Sequence, residues 1–579
     1  MTLGPTRTVV AYFSMEICLE QAIPTYSGGL GVLAGDTLRS AADLGVPLVA
    51  VTLLHRKGYF TQHLDATGHQ TESPVVWSPE KVLERVDGRT TVTIEGRTVH
   101  VRAWKYAVKG VRGHEVPVFL LDTMLDENSE ADRALTDYLY GGDEHYRLCQ
   151  EIVLGMGGAA LLQVLGYDAG VIYHLNEGHS ALLTLQLLER QLDGRQPFEL
   201  EETDIEVVRQ RCVFTTHTPV PAGHDKFPLD MVRTVLGDER VALLEGCGGV
   251  YEGMLNMTHL ALHLTRFVNG VAMRHREVSR GMFPDYPINS ITNGVHATTW
   301  TGPAFAALFD RRIPEWRRDN LYLRYAVGIP LQEIRDAHAE SKATLVEEVF
   351  TRTGVTLDPT VMTIGFARRA TPYKRADLIF SDVERLATIA RKVGKLQIVF
   401  GGKAHPHDGG GKDLIRRIFA ADERLRGLVE VVYLENYEMA LAAKMVAGVD
   451  LWLNNPMKPL EASGTSGMKA AMNGVPSFSV LDGWWVEGHV EGVTGWSIGG
   501  PDAETDPSAD ALDLYIKLER VILPLFYGLP FAYAEVMRLA IALNGSFFNT
   551  QRMVRQYVHN AYFPDNLPAD VRIEETALR

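Results

Sequence analysis

The stretch VMTIGFARRATPYKRADLIFSDVERLATIARKVGKLQIVF, Val361 to Phe400, decides the fold. Val361 to Phe366 is a short apolar run with β-branched residues, as expected of a strand buried on both faces. Ala376 to Val393 then spaces its apolar residues at a helical period, and Leu396 to Phe400 is a second apolar strand. The rhythm continues through a helix-like Asp413 to Ala420, strand-like Val429 to Leu434, helix-like Tyr437 to Val446 and strand-like Leu451 to Leu453. Gly409, Gly410 and Gly411 read as a mobile turn within it. The N-terminal half repeats the alternation: strand Val9 to Phe13, loop Pro24 to Gly31, helix Val32 to Leu44 stopped by Gly45, strand Pro47 to Leu54. Gly170 to Leu175 precedes an amphipathic Ser180 to Glu189, and Cys212 to Thr216 is a further strand. Such alternation predicts parallel α/β sheets. Two separate runs, joined near Asn289 to Trp300, predict two doubly wound domains facing across a cleft, with the chemistry in the cleft.

A chain of 579 residues with 46% hydrophobic and 22% charged residues can bury a sizeable core and is not a disordered polymer. Its net charge of −15 argues against a general nucleic-acid or anionic-membrane surface, so any anion site must be local. Cys18, Cys149, Cys212 and Cys247 are too few and too scattered for a disulfide framework or a zinc site, which points to a reducing compartment. The first residues carry no basic lead or small-residue cleavage site, and the apolar runs Val46 to Leu54 and Ile152 to Leu162 fall far short of the ~20 residues a bilayer span needs. A cytoplasmic protein without a metal centre is expected.

Three stretches could carry chemistry. EASGTSGMK, Glu461 to Lys469, is a glycine-rich loop opening a helix after a strand. Its backbone amides, with the hydroxyls of Thr465 and Ser466 and the open position Gly467, could cradle a phosphate beneath the Lys469 amine; taken alone, it could equally be a capped helix with a solvated lysine. Arg368, Arg369, Lys374 and Arg375 crowd within eight residues at a strand end, which suits a bound anion or a solvated face. In Tyr26 to Gly31, the glycines let the backbone at Gly28, Gly29 and Leu30 approach an oxyanion or a sugar. His217 and His179, each without metal-ligand spacing to another histidine, read singly as core residues. Glu461 suits a cap or a sugar hydroxyl, Asn293 an Asn-Gly turn, and Tyr437, Trp484 and Trp485 core packing or a sugar platform. No convincing pair of acid and nucleophile carboxylates is visible, which argues against a hydrolase.

Taken together, these motifs resemble the starch and glycogen phosphorylases, the α-glucan phosphorylases that use pyridoxal 5′-phosphate. EASGTSGMKAAMNG is similar to the family's cofactor-lysine motif, with Lys469 at the lysine position. ARRATPYKR, Ala367 to Arg375, looks like the phosphate-site run, which implies that Arg369 and Lys374 hold substrate phosphate and Arg368 reaches the cofactor phosphate. FTTHTPVP puts His217 at the glucose-contacting histidine, SITNGVHATTW puts Asn293 at the sugar site, and YLENYEMALA puts Tyr437, with Glu435 and Asn436, beside the cofactor. NEGHS puts His179 at a cleft-lining position, and GGKAHP, Gly401 to Pro406, matches a family turn. The likeness implies sugar recognition by Gly28, Gly29, Leu30, Asn293, Glu461, Ser463, Gly464 and His179. It also implies Rossmann-like domains of the GT-B type: 1–292, a cofactor and phosphate domain 293–545, and a tail 546–579 packing back on the first.

The activity so implied is retaining phosphorolysis of maltodextrin, glycogen or starch to α-D-glucose 1-phosphate, with the cofactor held as a Schiff base on Lys469. Partners would be α-glucan and inorganic phosphate, with no nucleic acid or membrane and with room for a homo-oligomer. Two departures, Ser466-Gly467 in place of Gly-Asn and Ala370-Thr371-Pro372 without a His-Glu pair, resemble a shorter prokaryotic branch. Only eight residues precede Val9, so no N-terminal phosphorylation switch is expected and activity should be constitutive. Two competing readings are a glycogen-synthase-like nucleotide-sugar transferase, for which Lys469 would be superfluous, and a non-catalytic glucan-binding module, for which Arg369 and Lys374 would be.

Overall fold

The computed structural model describes residues 8–500 and 506–564. Two parallel sheets organise them. The larger has nine strands in the order Ile288–Ser290, Phe267–Gly270, Cys212–Thr215, Val171–Asn176, Val9–Ser14, Leu48–Leu53, Glu115–Asp122, Arg97–Lys109, Glu84–Ile94. Its first seven strands pair in parallel and the last two are antiparallel additions at one edge. The second sheet is wholly parallel, in the order Val429–Leu434, Leu396–Gly401, Met362–Ala367, Leu451–Asn454, Ser477–Val480, Gly495–Ile498. That is the doubly wound order, in which the chain reverses direction between Met362–Ala367 and its neighbour Leu451–Asn454. Both of these strands are buried throughout, which accounts for their apolar composition.

Two of the predicted elements differ in detail. The apolar period across Ala376 to Val393 resolves into a single 3₁₀ turn, Leu378–Phe380, and a helix, Val383–Lys392, because Asp382 caps the second piece by accepting the Arg385 amide at 2.9 Å. The three glycines are not a mobile turn. They form the first turn of helix Gly409–Leu425, where the Asp408 carboxylate accepts the Gly411 amide at 2.8 Å. A side chain at Gly411 would meet the Ala370 carbonyl at 2.2 Å, so close packing explains that glycine.

Beyond Ser546, the helix Thr550–Tyr557 lies against Gly29–Leu44. Met553, Val554, Tyr557 and Tyr562 share a core with Val10, Tyr12, Leu33 and Val213 of the nine-stranded side. The Tyr562 hydroxyl meets His174 Nδ1 at 2.6 Å, and Tyr557 bonds Thr215 and Asn269 at 3.0 Å. Residues 565–579 of the predicted tail lie outside the described part. Asn293-Gly294 is extended chain and not a turn, and it touches the same segment. Gly294 does not need a left-handed backbone, but a Cβ there would fall 2.3 Å from the Asn549 carbonyl carbon. Gly294→Ala is therefore expected to destabilise by about 1–3 kcal/mol through overpacking, read as a lower apparent Tm at matched scan rate.

Among the described residues no single helix is long and apolar enough to cross a membrane. All four cysteines are free and buried.

Candidate functional site

In a doubly wound sheet the reversal point leaves a crevice at the strand carboxyl ends, and the basic run starts there. Arg368 follows Ala367 directly, and its guanidinium bonds the Asn454 side chain, at the end of the neighbouring strand, and Glu461 Oε2 at 2.5 Å. Lys374 Nζ donates to the same oxygen at 2.5 Å. Glu461 is buried, and its amide is held by Asp482 Oδ2 at 2.9 Å. Burial alone would raise the Glu461 carboxyl, but the charges and hydrogen bonds of Arg368 and Lys374 outweigh it and bring the group down to about 2. Burial also pushes Asp482 up, to about 6.

A depressed carboxylate stabilises the fold at pH above its unfolded value, and that contribution disappears as the pH falls through the folded value. The Glu461 share should accordingly be intact above the unfolded value of about 4.3 and be lost as the pH falls through that value toward about 2. Acid unfolding of Glu461→Gln should show a shallower dependence on pH across that window than wild type.

Arg369 contrasts with its neighbours. The residue is exposed although crowded by protein, and among the described residues it makes neither a hydrogen bond nor an ion pair. Burial works to lower its pKa, but Tyr373, Tyr59, Glu16 and Tyr140 together raise it. Arg375, by comparison, is spent on structure, bonding the Asn455 and Pro456 carbonyls and Asp510.

Lys469 lies on the short helix Ser466–Ala471, with its amide on the Thr465 carbonyl at 3.2 Å. Its side chain is buried and its Nζ sits 4.0 Å from the centroid of the Trp300 ring. Trp300 is clamped in turn, its indole N–H donating to Asp36 Oδ2 at 2.7 Å. Desolvation lowers the Lys469 amine to about 8, against the opposing influence of Asp36 and Cys18. Ser466 Oγ accepts the Trp452 indole N–H at 3.0 Å, and Thr465 gives no side-chain cap. A Cβ at Gly467 would crowd Ser477 Oγ at 2.8 Å and the Trp484 ring at 2.9 Å. Gly464 is left-handed at φ +85°, beside the Glu461 side chain, and Ser463 Oγ is buried without a partner. Tyr437 packs against the core of this half, close to Gly401, and burial raises its hydroxyl. Trp484 and Trp485 are core residues.

On the other sheet, Val9–Ser14 and Val171–Asn176 are adjacent strands, and the loops after both carry candidate site residues. Glu16 Oε2 accepts the amides of Ser27 at 2.6 Å and Gly28 at 3.2 Å, and Oε1 accepts the Tyr140 hydroxyl at 3.0 Å. A carboxylate thus holds the loop before Gly29 and Leu30, which begin the helix Gly29–Leu44. His217 donates its backbone N–H to Glu177 Oε2 at 2.7 Å, and its Nε2 meets Asn176 Oδ1 at 2.8 Å. An amide oxygen only accepts, so Nε2 carries the ring proton. Burial lowers this imidazole to about 4, with Glu177 opposing, so it is neutral near pH 7. Glu177 sits at φ +75°, a strained backbone for a non-glycine residue, and its carboxylate also collects the Gly178 amide and the Thr218 hydroxyl. His179 Nε2 reaches Asp225 Oδ2 at 3.2 Å. Asn293 is positioned through Val271 and Arg552, and its buried Oδ1 has no partner.

Arg368, Lys374 and Glu461 therefore meet directly, and His217 and His179 share the Glu177 loop. Arg369 feels the charge of Glu16, the carboxylate that holds the Gly28 amide, without bonding it. The partners that hold them, Glu16, Asp36, Tyr140, Glu177 and Trp300, carry no catalytic motif of their own. Two left a visible trace: Glu177 stands inside NEGHS, and Trp300 closes SITNGVHATTW.

A profile of the carbohydrate phosphorylase family matches residues 238–493. Maltodextrin phosphorylase of Thermococcus litoralis is 41% identical over 96% of this chain and 70% of its own length. Glycogen phosphorylase of Mycobacterium tuberculosis is 37% identical over 96% of this chain and 71% of its own, and that of Aquifex aeolicus is 36% identical over 96% and 86%.

Proposed function

This chain belongs to the carbohydrate phosphorylase family, and from that premise we propose that the groups around Lys469, Arg369 and His217 form the site of an α-1,4-glucan phosphorylase. Phosphate attacks the terminal glucosyl unit at the non-reducing end with retention, releasing α-D-glucose 1-phosphate and a shortened glucan. The enzyme is a glycosyltransferase. The observation that carries the assignment of the site is the clustering of Arg368, Lys374 and Glu461 at the reversal point of the six-stranded sheet, beside the unpaired guanidinium of Arg369.

The family's cofactor, pyridoxal 5′-phosphate, fits these residues. Lys469 is a buried lysine with no acceptor among the described residues, its amine lowered to about 8 by desolvation, and Ser463 Oγ is an orphaned buried hydroxyl in the same loop. Lys469 would carry the cofactor, with Arg368, Tyr437, Thr465, Ser466 and Gly467 around it. When bound, its phosphate group supplies a proton donor and acceptor for the substrate phosphate.

The protein's own groups do the rest. Arg369 and Lys374 bind the substrate phosphate and partly neutralise its anionic charge, and the phosphate so held faces the glucosyl centre as it becomes cationic. Lys374 keeps two N–H donors free after bonding Glu461, so it serves both groups. Glu461 and the orphaned oxygen of Asn293 receive glucosyl hydroxyls, as does the bare Nδ1 of neutral His217. Gly28, Gly29 and Leu30 present backbone, and His179, Ser463 and Gly464 complete the sugar contacts.

This reading takes 1–292 and 293–545 as two domains facing across a cleft in the GT-B manner, with 546–579 returning to the first. The burial of Tyr557 and Tyr562 among residues of the nine-stranded sheet supports that division. The unpaired cysteines support a cytoplasmic home. Incubation with maltodextrin and phosphate should release glucose 1-phosphate without added nucleotide sugar. Transfer from a nucleotide sugar alone, in a colourless protein, would favour the synthase-like alternative.

A further inference from the structure

Behind His179 lies a largely buried charge cluster, open to solvent only on the Asp225 side, that the reading above does not use. Arg147 is the one arginine there, and it faces two carboxylates: its Nε donates to Glu151 Oε1 at 3.0 Å and its Nη2 to Asp225 Oδ2 at 3.2 Å. Glu151 is fully buried, and the two carboxyl groups lie within hydrogen-bonding reach of each other. Glu151 Oε2 nevertheless has no donor facing it. Two ionised carboxylates against one guanidinium would leave a net negative charge beside the fully buried Glu151, at the inner side of an Asp225 side chain that is 26% exposed, and a shared proton removes it. His179 Nε2 rests on the same Asp225 oxygen at 3.2 Å, and its Nδ1 is buried without any partner, so a second ring proton would have no acceptor.

We propose that Glu151 is a proton-bearing carboxylic acid that donates through Oε2 to Asp225 and so, as a positioning residue, fixes His179 in the tautomer with Nε2–H on Asp225 and Nδ1 bare to accept a glucan hydroxyl. The glucan part of this inference rests on the proposed function; the proton on Glu151 does not. Burial raises the Glu151 pKa, with Asp225 adding to the rise and Arg147 opposing it, while Asp225 is held low by His179 and Arg147. The cluster also reaches the glycine loop. Arg147 lies over the Tyr140 ring at 4.5 Å, and the Tyr140 hydroxyl is on Glu16, which caps Ser27 and Gly28.

Glutamine at 151 can donate an amide N–H to Asp225 as the neutral acid does, whereas alanine cannot. Glu151→Gln should therefore keep kcat/KM for maltodextrin within about threefold of wild type, and Glu151→Ala should raise the maltodextrin KM about tenfold or more with cofactor content unchanged. Infrared difference spectra of wild type against Glu151→Gln near neutral pH should contain the carbonyl stretch of a protonated carboxylic acid. That measurement needs neither substrate nor turnover, so it stands even if the glucan reading fails. Absence of the band would overturn the proposal, as would a Glu151→Gln enzyme as impaired in KM as Glu151→Ala. If Glu151→Ala fails to fold, the band and the Glu151→Gln kinetics decide by themselves.

Discussion

Lys469→Ala should yield a protein that folds, lacks the near-ultraviolet chromophore of bound pyridoxal phosphate, and loses phosphorolysis by at least about 10³-fold. The reasoning starts from burial. A lysine with no carboxylate at hydrogen-bond distance, packed on the face of Trp300, is expensive to keep charged. Its amine is therefore lowered to about 8, where an appreciable fraction is the neutral nucleophile near physiological pH. Removing an unpaired side chain strands no partner, so the fold should tolerate the change better than the loss of Glu461 would. The same lowering predicts a pH dependence with a definite sign. Neutral amine grows as the pH rises through about 8, so uptake of pyridoxal phosphate by cofactor-stripped protein should accelerate over that interval and level off above it. A fully active Lys469→Ala enzyme without cofactor would end the assignment.

For Arg369→Ala the expectation is a fall of about 10²–10³-fold in kcat/KM for phosphate with cofactor content near normal. Arg369 is a cleaner probe than Lys374 or Arg368, because both of those also neutralise Glu461 and their removal would leave a buried carboxylate short of partners. Arg369 has no internal partner to strand, so lost turnover can be read as lost phosphate binding. Unchanged phosphate affinity and turnover in this variant would remove it from the phosphate site. Arg368→Ala should behave differently, with weaker cofactor retention as its first symptom.

What could be read from the sequence follows from how each feature is encoded. The internal strands, such as Met362–Ala367 and Leu396–Gly401, are buried throughout and stand out as apolar runs. The antiparallel strands Glu84–Ile94 and Arg97–Lys109 mix buried with part-exposed positions and are rich in charge, and the hairpin Thr61–Leu64 with Gln70–Ser73 is short and polar, so none of these announces itself. At the site, the legible residues are those whose chemistry is contiguous: the glycine-rich loop with Lys469, and the basic run after a strand. Their partners come from far along the chain. Glu16 meets Tyr140 across 124 positions, Trp300 meets Asp36 across 264, and Arg147 meets Asp225 across 78. Such pairs are set by topology, and no local pattern marks them.

The helix Thr550–Tyr557 bears on how the molecule is made. The core around Val10, Tyr12 and Val213 is complete only when Met553, Tyr557 and Tyr562 arrive, although the last strand of the nine-stranded sheet ends at Ser290. A ribosome-bound chain must therefore carry an unfinished first half through the synthesis of the entire second sheet, on the order of half a minute at usual elongation rates. During that time the apolar faces of Gly29–Leu44 and of the Val9–Ser14 strand lack their cover, which makes the nascent protein a natural client for chaperones and ties quality control of the Val9–Ser14 strand to the translation of the helix Thr550–Tyr557.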